Sequence, residues 1–166
     1  MFINEIKIIE NIQKLKLINL MKYISEPFDG INFIVIVLFF YIYKVIDIND
    51  VIFISSGSIV SAIIKLIFKR KRPFRENKSV KNFSGKEYQN MFEKYSFPSG
   101  HTFAATIFAI IMYMKYPDKF IFHLIPVIVG FSRIFLGVHY LTDIIGGIVI
   151  AFIYYHLFSS DTIIKN

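Results

Sequence analysis

Cysteine is absent from the 166 residues. Its absence excludes disulfides and thiolate metal sites, but it does not identify a compartment, because a chain embedded in a bilayer needs no covalent staple. The first 25 residues carry no small-residue cleavage pattern of the kind that ends a signal peptide. No internal repeat is visible, and there are too few apolar stretches for the paired repeats of a transporter. Apolar side chains make up 55% of the residues and aromatics 17%. The mean hydropathy of +0.54 is well above that of a soluble domain. This is the composition of a membrane protein, and its length leaves room for about five spans of roughly 20 residues plus one sizeable loop. A single domain over residues 1–166 is expected.

Residues 1–25 are rich in Ile and Leu, yet include Glu5, Lys7, Glu10, Lys14, Lys16 and Lys22. That is too many charges for a span. Asn4, Lys7, Asn11, Lys14 and Lys22 fall near one helical face and Phe2, Ile6, Ile9, Leu20 and Ile24 roughly opposite, with Lys16 and Ile18 out of place. The pattern predicts an amphipathic helix, lying at the interface or packed on the bundle. After the Pro27-x-Asp29-Gly30 break, five apolar stretches follow, at about residues 31–46, 51–68, 99–114, 120–136 and 144–158. Serines 55, 56, 58 and 61 with Gly57 give the second of them a small-residue surface suited to close helix contact. The predicted fold class is all-α, an integral-membrane helical bundle of about five transmembrane spans with an N-terminal amphipathic interfacial helix.

The one long hydrophilic region is the loop 69–98 between spans two and three. Its residues 69–94 hold nine Lys or Arg and three Glu, a net of about +6 in a chain whose total is +7. Such a loop is attracted to anionic headgroups. Nucleic acid is not an expected partner, because no recognition module is visible. Lys69, Arg70, Lys71 and Arg75 read as solvated or headgroup-binding charge, with a second phosphate as the sharper alternative.

Three short clusters stand at the ends of the apolar stretches. They are Lys65-x6-Arg72-Pro73, then Pro98-Ser99-Gly100-His101, then Ser132-Arg133-x5-His139-x3-Asp143. Phosphoryl transfer needs an anion cradle, a nucleophile, a proton donor for the leaving oxygen and charge on the equatorial oxygens. Lys65, Arg72 and Arg133 are candidate cations, Arg72 offering a planar fork. Ser99 and Gly100 begin a helix whose first N–H groups face an anion, although Ser99 is equally a plain N-cap. His101 stands where a proton donor is needed. His139 and Asp143, four apart, share a helical face, so that the carboxylate can orient the imidazole as a nucleophile that forms a phosphohistidine. Singly, each cluster reads as well as snorkelling charge, a cap or a surface pair. Together they fix eleven positions in order, and charges at a membrane edge are costly unless used. His123 and His156 sit within spans away from the clusters and read as bundle contacts.

The three clusters resemble, position for position, the signature of the type 2 phosphatidic-acid phosphatase superfamily, over the central half of the chain. The resemblance implies a membrane lipid phosphatase in which His139 is the nucleophile, Asp143 its partner and His101 the general acid. It further implies that Lys65, Arg72, Ser99, Gly100 and Arg133 hold the phosphate, with no metal and no cofactor. The motifs contain no carboxylate cluster suited to magnesium. The family usually has six spans and an outward-facing site, whereas five are expected here. The implied location is a bacterial cytoplasmic (inner) membrane with the site on the extracytoplasmic face, against which the basic loop argues by the positive-inside rule. Undecaprenyl diphosphate leads as expected substrate, followed by lipid A, phosphatidylglycerol phosphate or phosphatidic acid, or transfer to another lipid. The alternative of another class is a non-catalytic scaffold that binds anionic lipid. The oligomeric state is not legible.

Overall fold

The computed structural model describes residues 2–91 and 93–159. Met1, Phe92 and residues 160–166, and so both ends of the expected 1–166 domain, lie outside the described residues, as do the side chains of Phe2 and Ile3. The described residues are helical, without strands. They form α1 (Phe2–Gln13), α2 (Ile18–Ser25), α3 (Gly30–Ile42), α4 (Ile48–Phe68), α5 (Pro73–Glu76), α6 (Gly100–Lys115), α7 (Leu124–Phe135) and α8 (Leu141–Phe158).

The bundle is built around α6, which packs against α4, α7 and α8. Phe103, Ala105, Thr106, Ile107, Ala109, Ile111 and Met112 of α6 are all buried. Gly147 lets α8 close on its N-terminus, since a Cβ there would stand 2.9 Å from the Ser99 carbonyl oxygen. Phe53, Phe103 and Tyr154 join α4, α6 and α8 in the main aromatic core. At the end of the bundle remote from the motifs, Asp47 caps α4 by accepting from the amides of Asn49 and Asp50, 2.8 and 3.0 Å away. Buried Asp50 then pairs with Lys115 of α6 at 2.8 Å. The second span therefore starts at Ile48, earlier than hydropathy alone suggests, because the two aspartates build a capping box.

Large apolar side chains cover the outside, among them Ile31, Ile42, Ile59, Ile67 and Leu157, each more than half exposed. Lys65, Arg72, Arg133, His139 and Asp143 are inside. Polar groups inward and apolar groups outward is the pattern of a chain whose solvent is hydrocarbon. The helical run from Ile48 and helix α8 are long and apolar enough to cross a membrane, and α2 with α3 pass the same test only as a pair bent by 56°. Helix α3 is 13 residues long, ending at Ile42. Lys44, within the apolar stretch expected over residues 31–46, instead sits in a left-handed turn at φ 57°.

The N-terminal 25 residues differ from the single helix expected. Lys16, at φ 54°, breaks them into α1 and α2. Ile6 and Ile9 of the expected apolar face are buried against Val80, Ile134, Tyr140 and Ile144, while Leu20 is 51% exposed. Met21 packs on Tyr88, Phe135 and Val138. These helices thus cover the third motif, and they also hold the basic loop. Gln13 donates to the Lys81 and Phe135 carbonyls at 2.7 and 3.1 Å and accepts from the Lys81 amide. Within the loop, Arg75 donates to the carbonyls of Glu87 and Tyr88, both at 2.9 Å. The loop is therefore folded onto the bundle, and Arg75 is an internal tie instead of a free headgroup-binding charge.

Candidate active site

Five helix ends meet at one point: the N-termini of α3, α6 and α8 and the C-termini of α4 and α7. Alternating helix direction brings the three sequence clusters together across up to 78 residues of chain, from Lys65 to Asp143. Lys65, Arg72, Gly100, His101, Arg133 and His139 all line one cavity of about 670 Å³. Asp143 lies behind His139, and Ser99 lies at the turn without lining the cavity.

His139 sits in the connection between α7 and α8, which turns at Gly137 with φ 75°. A Cβ on Gly137 would fall 2.2 Å from the Lys81 carbonyl oxygen, so the close seat of the loop requires glycine there. The His139 ring is 1% exposed. Its Nδ1 lies 3.3 Å from Asp143 Oδ2, the i,i+4 contact expected of the pair. Its Nε2 lies 3.2 Å from Arg72 Nη1. Since arginine can only donate, Nε2 is the acceptor and Nδ1 carries the hydrogen that Asp143 accepts. Burial, and then the charges of Arg72, Lys65 and Arg133, push the imidazole well below its ordinary range. The result is a neutral ring with its lone pair directed at the cations.

The cations are themselves held in place. Arg72 donates through Nε and Nη2 to the Glu93 carbonyl at 2.9 and 2.5 Å and through Nη1 to that of Val138 at 2.9 Å. Its guanidinium lies 3.9 Å over the Tyr88 ring. Lys65 extends from the last turn of α4 to the carbonyls of Pro98, at 2.5 Å, and Tyr95, at 3.4 Å. Arg133 gives Nη1 to Ser25 Oγ at 2.5 Å and Nη2 to the Tyr88 hydroxyl at 2.7 Å. Its Nε is buried with no partner among the described residues. Three positive charges this close repel one another, an arrangement that an incoming anion relieves.

Ser99 is the N-cap of α6, accepting from the Thr102 amide at 3.3 Å and bonding its hydroxyl, 2.9 Å away. The capping alternative is thus the geometry observed, and the amides of Gly100 and His101 remain as donors at the helix N-terminus. His101 Nε2 stands 3.5 Å from Asp29 Oδ1, and the other oxygen of Asp29 accepts from Lys86 at 2.5 Å. From these groups the cavity continues between α3 and α4, past Phe33, Val37, Ile54 and Ala62. A polar head and an apolar channel are what a lipid phosphate requires. His123, by contrast, packs against Tyr113 at 4.4 Å, far from the cavity lining.

Four of the residues that complete the site stand outside the motifs. Tyr88 both stacks on Arg72 and anchors Arg133. Asp29 faces His101. Arg70, expected as headgroup-binding charge, instead donates to Asp143 Oδ1 and to Thr142 Oγ1, each at 2.6 Å, and pairs with Glu5 Oε2 at 3.1 Å. Glu5, on α1, also accepts from the Thr142 amide and hydroxyl, both at 2.9 Å. A buried chain thus runs from Glu5 through Arg70 and Asp143 to His139. The basic run of residues 69–72 did carry a signal, but the motif spacing singles out Arg72 and does not say that Arg70 also turns inward. Arg70→Gln removes a charge-assisted bond from Asp143 without touching the cavity. Its expected effect is a fall in kcat of about ten- to hundredfold with KM nearly unchanged, read from steady-state kinetics on the folded variant. A change confined to KM would assign Arg70 to substrate binding instead.

The sequence profile of the PAP2 superfamily matches residues 50–162. Phosphatidylglycerophosphatase B of Bacillus subtilis (strain 168) is 36% identical over 75 residues, covering 38% of this chain and 37% of that relative. The match thus spans well under half the length of the curated relative. The crystal structure of the first transmembrane PAP2 type phosphatidylglycerolphosphate phosphatase from Bacillus subtilis superposes with a TM-score of 0.68 at 19% identity, covering 96% of this chain and 88% of that one. At that identity the superposition speaks for the fold.

Proposed function

Because the chain belongs to the PAP2 superfamily, we propose that it is a membrane lipid phosphatase working through a phosphohistidine on His139, without a metal. The observation that carries this reading is the neutral His139, its Nδ1 on Asp143 and its Nε2 facing Arg72, at the head of an apolar channel. A terminal phosphate enters among Lys65, Arg72, Arg133 and the α6 N-terminus. The Nε2 lone pair forms the P–N bond as the bond to the lipid oxygen breaks, and His101 gives that oxygen a proton. Asp143 stabilises the imidazolium-like ring. Water then attacks phosphorus with His101 as base, the P–N bond breaks, and inorganic phosphate leaves. Ser99 serves through the helix start that it caps.

Phosphatidylglycerol phosphate is the substrate to test first, since both relatives are named for it. Undecaprenyl diphosphate is the second reading, with phosphatidic acid and lipid A phosphate behind it. In this reading α3, α4, α6, α7 with its preceding turn, and α8 are five crossing segments that run alternately. The N-terminal helices lie at the interface, and the site faces the extracytoplasmic side of a bacterial cytoplasmic membrane. The test is phosphate release by the purified protein from these four lipids with chelator present. Release that survives the chelator and is fastest from phosphatidylglycerol phosphate is expected. Silence on the whole panel, with salt-sensitive binding to anionic vesicles, would favour the scaffold alternative.

A further inference from the structure

Helix α4 carries four serines, and three of them are satisfied within the fold. Ser55, Ser56 and Ser58 donate to the carbonyls of Val51, Ile52 and Ile54 one turn back, at 2.8, 2.7 and 3.0 Å. This is the ordinary resting place of a serine hydroxyl in an apolar helix. Ser61 departs from that habit. It is 3% exposed, and its Oγ has no partner among the described residues. It lines the cavity one turn before Lys65 and lies 3.9 Å from where a Cβ on Gly100 would stand, with Lys65 Cε at 3.6 Å from the same point. A buried hydroxyl left without a bond is a cost to the fold, and such groups call for an explanation.

We propose that Ser61 is a further phosphate-binding residue, donating its hydroxyl to a nonbridging oxygen of the phosphoryl group held between Lys65 and the N-terminus of α6. It supplies a neutral donor from α4, one turn before Lys65 and beside the start of α6. The assignment rests on the reading of the cavity as a phosphoryl site. It differs from the motif residues in having no bond to lose on substitution, so its effects on folding and on binding have different signs.

Ser61→Ala and Ser61→Cys, the latter of similar size but a poor donor, separate the possibilities. For both, kcat/KM on the best lipid should fall about tenfold, the worth of one hydrogen bond to an anion. Inhibition by inorganic orthovanadate, which has no lipid part, should weaken by a similar factor. The Tm of the unliganded protein in detergent should hold or, for alanine, rise. Unchanged kcat/KM and unchanged vanadate inhibition overturn the assignment. So does a fall in Tm parallel to the loss of activity, which would make Ser61 a packing residue. Wild type that neither releases phosphate nor responds to vanadate would overturn the phosphatase reading together with this one, whereas an active wild type with indifferent variants overturns only the role of Ser61.

Discussion

His139→Ala is expected to lower phosphate release on the order of 10⁴-fold or more, since in the proposed mechanism His139 forms the covalent intermediate. Residual turnover would come only from binding and charge stabilisation. Arg72 keeps its bonds to the carbonyls of Glu93 and Val138, so the phosphate cradle survives the substitution. Asp143 keeps the Tyr140 amide at 2.9 Å and Arg70 at 2.6 Å, so its buried carboxylate stays paired. The variant should accordingly fold and still bind lipid phosphate. The measurement is rapid quench with labelled substrate. Wild type should show an acid-labile phosphoprotein that His139→Ala lacks, with KM or vanadate affinity little altered. An undiminished phosphoprotein signal would place the nucleophile elsewhere.

Asp143→Asn should cost on the order of 10³- to 10⁴-fold in kcat, through loss of the negative charge beside the ring. Asp143 Oδ2 accepts from both the Tyr140 amide and His139 Nδ1, and Oδ1 accepts from Arg70. An asparagine offers only one acceptor oxygen. With that oxygen in the place of Oδ2, the Tyr140 and His139 bonds are kept, the amide nitrogen faces Arg70, and the ring loses the negative charge beside it. With the amide reversed, its nitrogen faces the Tyr140 amide as well as Nδ1, and the imidazole must move its hydrogen to Nε2, where it removes the lone pair and faces Arg72 Nη1 at 3.2 Å. Histidine ¹⁵N shifts of labelled protein should show the hydrogen kept on Nδ1 alongside the loss of kcat, and a hydrogen moved to Nε2 would mark the reversed amide. Loss of activity with the wild-type tautomer retained would mean that Asp143 acts mainly on the charge of the transition state. Arg70→Gln, which leaves the carboxylate in place, should fall between this variant and wild type.

The apolar stretches and the cluster order were legible because each rests on local rules. Hydropathy over a window marks helices for an apolar solvent, and the i,i+4 spacing does bring His139 and Asp143 into contact, although His139 precedes the Tyr140 N-cap of α8 and the pair meets across that cap instead of on a helical face. Ser99 as the start of α6 was equally local. Helix ends were less legible: α3 stops at Ile42 and α4 starts at Ile48 because of a left-handed Lys44 and an Asp47–Asp50 capping box, neither of which hydropathy registers. The N-terminal segment broke at Lys16 for the same kind of reason, and Leu20, on α2 beyond the break, is exposed.

Sequence by itself determined the membrane class and the helical content, since solvent preference does not depend on the path of the chain, and the resemblance named the motif residues, which the alternating helices then bring together. The motif spacing singled out Arg72, but that Arg70 also turns inward was decided by the fold alone. Arg72 lies against Tyr88 and Nε2 of His139, while Arg70 lies against Glu5 and Asp143, from helices 65 residues before and 73 residues after it. The partners of Arg133, Ser25 and Tyr88, and the Asp29 facing His101 come from equally distant chain. A buried charge must be matched wherever the tertiary structure brings a complement, and no local pattern records which residue that will be.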